Sequence, residues 1–323
     1  MAVLSSLLGF VADGHAGEAV PAPCLWITNQ EAGTLSVIDS ATDTVIDTVT
    51  IGEKPAGIAV TPDGSSVYVT LAGNQEVVLI DGTSRKIIKR ATLPGGPLGI
   101  AYDDKDDRLL VANWYDKTLS ILSPRTLKGI DQITVGENPA GIAFADTLNL
   151  ILVADRDSNA VTVIGRDDLK VKKTIPVGTH PFGITVEPGG KRAWVASVKD
   201  DTVNVIDLQS MVAIKSISVG HTPYVVAFTN DGAFALVTNQ HEGTVSIIDT
   251  ATFEVVKTVD VGEFPEGIMA SPDGAKIYVV NWMSNDVTVL STANWRKIKT
   301  IPTGGGSRSF GVFLGRRQAS CTR

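Results

Sequence analysis

Basic excess, cysteine, aromatic residues and long apolar runs are all scarce in this chain. Among 323 residues there are 28 Lys or Arg against 35 Asp or Glu, a formal charge of −7. An acidic surface repels phosphates, so nucleic acid is not the expected partner. After the first residues no apolar stretch approaches the roughly 20 residues that a membrane-spanning helix needs, so no transmembrane segment is expected. The usual catalytic spacings are also missing: there is no HExxH, CxxC, EF-hand loop or GxSxG elbow. No GxGxxG or Walker spacing follows a strand and opens a helix.

What the chain does have is a period. Pro55, Pro97, Pro139, Pro181, Pro223 and Pro265 stand 42 residues apart, and so do Asn29, Leu71, Asn113, Asp155, Ser197, Asn239 and Asn281. Seven units result, and self-similarity at a fixed period outranks any local motif. Within one unit, GIAV, VYVT, VVLID and KIIKRATL read as four short strands of β-branched or alternating apolar residues. They are divided by turn chemistry such as TPDG at 61–64, TNDG at 229–232 and SPDG at 271–274. Four-stranded units of this length repeated seven times predict an all-β, seven-bladed β-propeller of four-stranded blades, in which radial repetition removes long sheet edges. A single blade cannot bury both faces, so residues 24–323 form one propeller domain.

Blade one opens at Cys24 and Leu25 with the second strand of the unit, WITN, and no inner strand precedes it. Residues 309–314, SFGVFL, repeat the inner-strand pattern after a two-residue insertion, which predicts that the C-terminal strand closes the ring by pairing with Leu25–Asn29. The two cysteines, Cys24 and Cys321, flank that closure, and in an oxidising compartment a disulfide between them is the natural reading. Residues 1–23 contain an apolar run from Ala2 to Ala12 followed by small residues, read as an export signal despite the lack of a basic residue before the run, or else as a disordered arm. The export signal and the expected disulfide together place the protein outside the cytoplasm, secreted or periplasmic.

Gly57, Gly99, Gly141, Gly183, Gly267 and Gly311 share one inner-strand column, where strands converging on an axis need close backbone approach. The acidic run Asp103, Asp104, Asp106 and Asp107 reads as a solvated hairpin on the opposite face from the candidate site.

The segments YVVNWMSNDVTVLSTA and LVTNQHEGTVSIIDTATFEVVKTVDVG resemble the YVTN-repeat β-propeller family, and the resemblance runs from Leu25 to Leu314. It implies the fold. It leaves activity open, since such propellers occur as secreted and surface proteins, as nucleic-acid binders, and as relatives of lactonases and amine dehydrogenase subunits.

Strand alternation sends two loop sets of every blade to one face, the top. There the sequence places His180, His221 and His241, the aromatics Trp114, Tyr115, Phe182, Tyr224, Phe264 and Trp282, and the charged Glu266 and Arg308. Two function classes fit. The first is a binding module whose top-face funnel recognises a protein or small-molecule ligand through half-exposed aromatics. The second is an enzyme of lactonase, lyase or dehydrogenase kinship, in which His180, His221 and His241 converge as bases or as ligands for a divalent metal. Beyond such a metal the residues name no cofactor and no catalytic group. The histidines serve equally well as rim residues bonded to turn carbonyls, and the aromatics as a plug for the funnel.

Overall fold

The computed structural model describes residues 22–318, 320 and 321. The export-signal expectation covers residues 1–23, of which 1–21 lie outside the described residues, as do 319, 322 and 323. Seven antiparallel sheets form a ring, and blade two shows the unit: inner strand Pro55–Val60, second Ser66–Leu71, third Glu76–Asp81, outer Ile87–Thr92. The next five blades open with inner strands Pro97–Asp103, Pro139–Ala145, Pro181–Val186, Pro223–Phe228 and Pro265–Ala270. Second and third strands are buried almost throughout, because each is covered by a neighbouring blade on both faces. Outer strands such as KIKTIP (Lys297–Pro302) are largely exposed, and their Lys and Thr residues discourage edge pairing. Among the described residues no helix is long and apolar enough to cross a membrane.

Ring closure follows the sequence reading and adds a detail. Ser307 bridges Asn29 and Leu314 bridges Leu25, both antiparallel, so the C-terminal segment supplies the inner strand of blade one. Trp26 N–H donates to the Phe313 carbonyl at 2.8 Å and Arg308 N–H to the Thr28 carbonyl at 2.8 Å. The two inserted residues have to bulge out between these anchors. They do so toward blade two, where Phe310–Val312 runs parallel to Gly57–Ala59. The crowded glycine position is therefore taken in blade one by Ser309, whose N–H meets Thr28 Oγ1 at 2.7 Å just as Gly57 N–H meets Thr70 Oγ1 at 2.9 Å. Gly311, at φ +126°, sits where a Cβ would lie 2.3 Å from the Ile58 carbonyl oxygen. Cys24 and Cys321 are disulfide-bonded with Cα atoms 4.6 Å apart, and both are buried.

Each inner strand of blades two to seven carries a bulge directly after its proline, seen as a register shift between Pro55 and Ile58 and its equivalents. Two residues there oppose one, which re-aims the residue after the proline. That device places the candidate site.

The acidic run differs from its sequence reading. Asp103 is fully buried and holds Arg108 and Arg166. Arg166 Nε donates to Asp103 Oδ2 at 3.1 Å, and the same guanidinium reaches Asp146. Asp104 pairs with Arg317 at 2.8 Å. The hairpin is thus an anchor between blades three and four, invisible in the local sequence because its main cation lies 63 positions away.

Candidate functional site

The top of the axis holds a cavity of about 380 Å³. Its lining comes from two columns of the repeat. One is the bulged residue after each proline, contributing Phe182, Tyr224, Glu266 and Arg308; the other follows the second strand, contributing Trp114, Arg156, Val198, Gln240 and Trp282. In both columns members stand 42 residues apart; of the remaining members Ala56, Ala72 and Ala140 are small, and Leu98 and Gln30 do not line the cavity. The large side chains therefore crowd toward blades three to seven.

A repeated backbone device fixes the second column. The residue before each proline column adopts positive φ: Lys54, Gly96, Asn138, His180, Thr222, Phe264 and Gly306, between 50° and 72°. Its carbonyl then accepts the N–H of the wall residue, as in Trp114 to Gly96 at 3.0 Å, Arg156 to Asn138 at 3.2 Å, Val198 to His180 at 3.1 Å and Trp282 to Phe264 at 2.9 Å. Positive φ is costly for a β-branched side chain, and Thr222 bears it at 59°, its backbone N–H donating to Asp201 Oδ1 at 2.8 Å and its carbonyl accepting the Gln240 N–H at 2.9 Å. Thr222→Gly is accordingly expected to stabilise the fold by about 1 kcal/mol. Urea denaturation checks this, and an unchanged or lowered midpoint would contradict the strain argument.

The floor is aromatic. Phe182 stacks on Tyr224 with centroids 4.3 Å apart and meets Phe310 at 4.8 Å and Trp114 at 6.2 Å. Phe182, Tyr224 and Phe310 are all buried, so these three plug the axis, while Trp114 and Trp282 stand above them on opposite arcs of the ring, in blades three and seven.

One polar network is sunk into this surface. Arg308 Nε lies 2.7 Å from Glu266 Oε2, although the N–H does not point along the line of centres. Gln240 Nε2 donates to Glu266 Oε1 at 2.8 Å, and Arg308 Nη2 donates to the Tyr224 hydroxyl. Burial raises the Glu266 carboxyl above its usual range, opposed by the Arg308 charge and the Gln240 bond. Burial likewise raises the Tyr224 phenol. Burial alone would lower Arg308, but Glu266 and Tyr224 beside it hold it charged. Arg156 lies over the Trp114 ring at 5.7 Å and is engaged only through Nη1, by Asp157.

Of the residues singled out in the sequence, Trp114, Tyr224, Trp282, Glu266 and Arg308 meet in this cavity. Tyr115 does not; it is 76% exposed and lies over Gly96. The three histidines are not brought together. His180 faces Asp157 at 3.6 Å, with its pKa lowered first by burial and then by Arg156. His221 is bound by Asp201 at 2.7 Å, which raises its pKa, and lies 3.8 Å from Glu242. His241 packs edge-on against Phe264 at 5.2 Å. Among the described residues no group of three or more His, Cys, Asp or Glu could hold a metal ion. Gln240 and Val198 had no signal of their own and are found only by reading the Trp114 column around the ring.

The fold is that of a seven-bladed β-propeller, and the likenesses to known proteins agree with that. The family described as cytochrome D1 heme domain matches residues 145–280, from the end of blade four's inner strand into blade seven. The hydrazine synthase of Kuenenia stuttgartiensis superposes with a TM-score of 0.77 at 20% identity, covering 88% of this chain and 99% of that one. A functionally unknown protein of Desulfotomaculum acetoxidans DSM 771 gives 0.77 at 18% identity, covering 89% and 99%. Dihydro-heme d1 dehydrogenase NirN, in complex with DHE, gives 0.70 at 16% identity, covering 95% of this chain and 78% of that one. At these identities the likeness is one of fold. No curated protein matches the chain.

A heme-type group can be tested against the residues present. None of the nine side chains lining the cavity is His, Cys or Met, and the single phenol, Tyr224, is buried and raised in pKa. The cavity offers no ready axial ligand for an iron. It does offer aromatic faces and hydrogen-bond donors, which suit an organic plane rather than a metal centre.

Proposed function

We propose that this chain is an exported binding module, in the secreted or periplasmic space, whose axial cavity holds a flat, conjugated small molecule without transforming it. The observation that carries the reading is the two-storey aromatic arrangement: a Phe182–Tyr224–Phe310 floor with Trp114 and Trp282 above it on opposite arcs. Flat aromatic walls give large contact area at low entropy cost and select planar ligands. The family matched over residues 145–280, and the NirN structure, are named for heme-type molecules, which are planar and conjugated. The YVVN and LVTN segments belong to the same reading, as a YVTN-type exported propeller. Export is supported by the Cys24–Cys321 disulfide, since such bonds persist in oxidising compartments.

Tryptophan-emission titration with naphthamide and with a metal-free porphyrin tests the proposal. Saturable quenching is expected for at least one probe. Trp114→Ala and Trp282→Ala should each weaken that binding by ~2 kcal/mol, roughly 30-fold, with the thermal midpoint nearly unchanged. A lowered midpoint with unchanged affinity would make the two rings packing groups and reject the reading.

A further inference from the structure

We infer that the ligand of the axial cavity carries a carboxylate, received between Arg308 and Arg156. This deepens the proposed function and rests on its flat-ligand reading. The argument is a count of hydrogen-bonding capacity left over once the protein's own bonds are made.

Glu266 is consumed: one oxygen accepts from Gln240 and the other contacts Arg308. The Tyr224 hydroxyl accepts from Arg308, and its own O–H has no acceptor among the described residues. Arg308 donates through Nη2, contacts Glu266 ionically through Nε without a hydrogen bond, and leaves Nη1 without a partner. Arg156 engages Nη1 alone and leaves Nε and Nη2. The Trp282 indole Nε1 is buried with no partner. Against these donors the side-chain acceptors left on the lining are Gln240 Oε1 and Glu266 Oε2, and the second is already in ionic contact with Arg308.

A buried N–H without an acceptor, as at Trp282 Nε1 and Arg308 Nε, is a cost that a ligand can remove, while the free nitrogens of Arg156 stand at the open side of the cavity. Two guanidinium groups and one carboxylate line the cavity, so the lining is also net positive. A neutral plane would leave the donors unmet. A plane bearing a carboxylate meets them with charge-assisted bonds, and guanidinium matches carboxylate geometry in pairs. Glu266 has its own part: by holding Arg308 charged and in place, it keeps that donor ready while most of its own charge is spent inside the protein.

The test compares naphthoate with naphthamide, which share ring and size and differ in charge, on the oxidised full chain. Naphthoate is expected to bind at least about tenfold more tightly, in line with the greater strength of charge-assisted bonds. Arg156→Met should abolish most of that preference. Arg308→Met alone would strand Glu266, so the second variant is Arg308→Met with Glu266→Gln, which should also lose the preference. If both probes bind wild type alike, the carboxylate inference falls while the flat-ligand reading stands. If neither naphthalene probe binds, the carboxylate inference falls, and the porphyrin titration decides the flat-ligand reading separately. A preference that persists undiminished in either variant would overturn the assignment of the two arginines.

Discussion

Replacing Cys24 by Ser is expected to lower the unfolding free energy by about 4–5 kcal/mol under oxidising conditions, the largest single effect outside the cavity. The Cys24–Cys321 bond closes a loop spanning 297 positions, so in the unfolded chain it restricts nearly the whole polypeptide. Loop-closure entropy grows only with the logarithm of length, so even this loop gives under about 6 kcal/mol, which residual structure in the unfolded chain reduces to the expected loss. The bond also protects a vulnerable seam. Blade one is the one blade whose inner strand comes from the far end of the chain, and without the disulfide it is held by the Ser307, Arg308, Phe313 and Leu314 contacts and by Ser309 on Thr28. Cys321→Ser should match Cys24→Ser, and the double variant should cost no more than either, because all three remove one bond. Urea midpoints of the three variants, and of wild type with and without reductant, check this. Coincident wild-type curves in both conditions would show that the closure holds without its covalent bond.

Asp155→Asn is expected to stabilise the protein by about 3 kcal/mol at pH 8 and by almost nothing at pH 4. Asp155 is fully buried, and desolvation pushes its carboxyl up from 3.8 to about 6 despite the Thr162 hydroxyl and the Gly136 N–H, which favour the charge. Below pH 4 the folded and unfolded states both hold the proton and the position is neutral for stability. Between 4 and 6 the unfolded chain releases it first, so stability falls as pH rises, and above 6 the folded state bears a buried anion. Four other blades place Asn in this column. Asn29, Asn113 and Asn239 each donate through Nδ2 to a pair of hydroxyls, and Asn281 to a carboxylate and a hydroxyl. Asn at position 155 would keep the Thr162 partner without the charge. Denaturation at both pH values decides the matter, and an equal gain at pH 4 and pH 8 would mean that packing, not ionisation, separates the two side chains.

Those two sites show where a sequence of this kind is legible. The 42-residue spacing, the turn residues and the flanking cysteines are properties of position along the chain, so blade number, strand count, ring closure and the disulfide could all be read from it. The period is strict because every blade must pack against two like neighbours, and one slipped residue would turn a buried face outward. The top-face aromatics were legible as a set, and Trp114, Tyr224, Trp282, Glu266 and Arg308 do gather.

Tertiary structure alone decided which columns reach the axis. The bulge after each proline turns one residue inward, and the left-handed residue before the proline pins another, so two columns line the cavity while their neighbours do not. His180 stands in the left-handed column and His221 one step before it, so the two meet different partners, Asp157 and Asp201. The Asp103–Arg166 anchor was equally hidden, because burial and a partner from the next blade, not the local composition, make a solvated-looking hairpin into an internal ion pair. Spacing repeats along a line, whereas proximity in a ring depends on the direction each side chain takes, and backbone geometry at a few residues sets that direction.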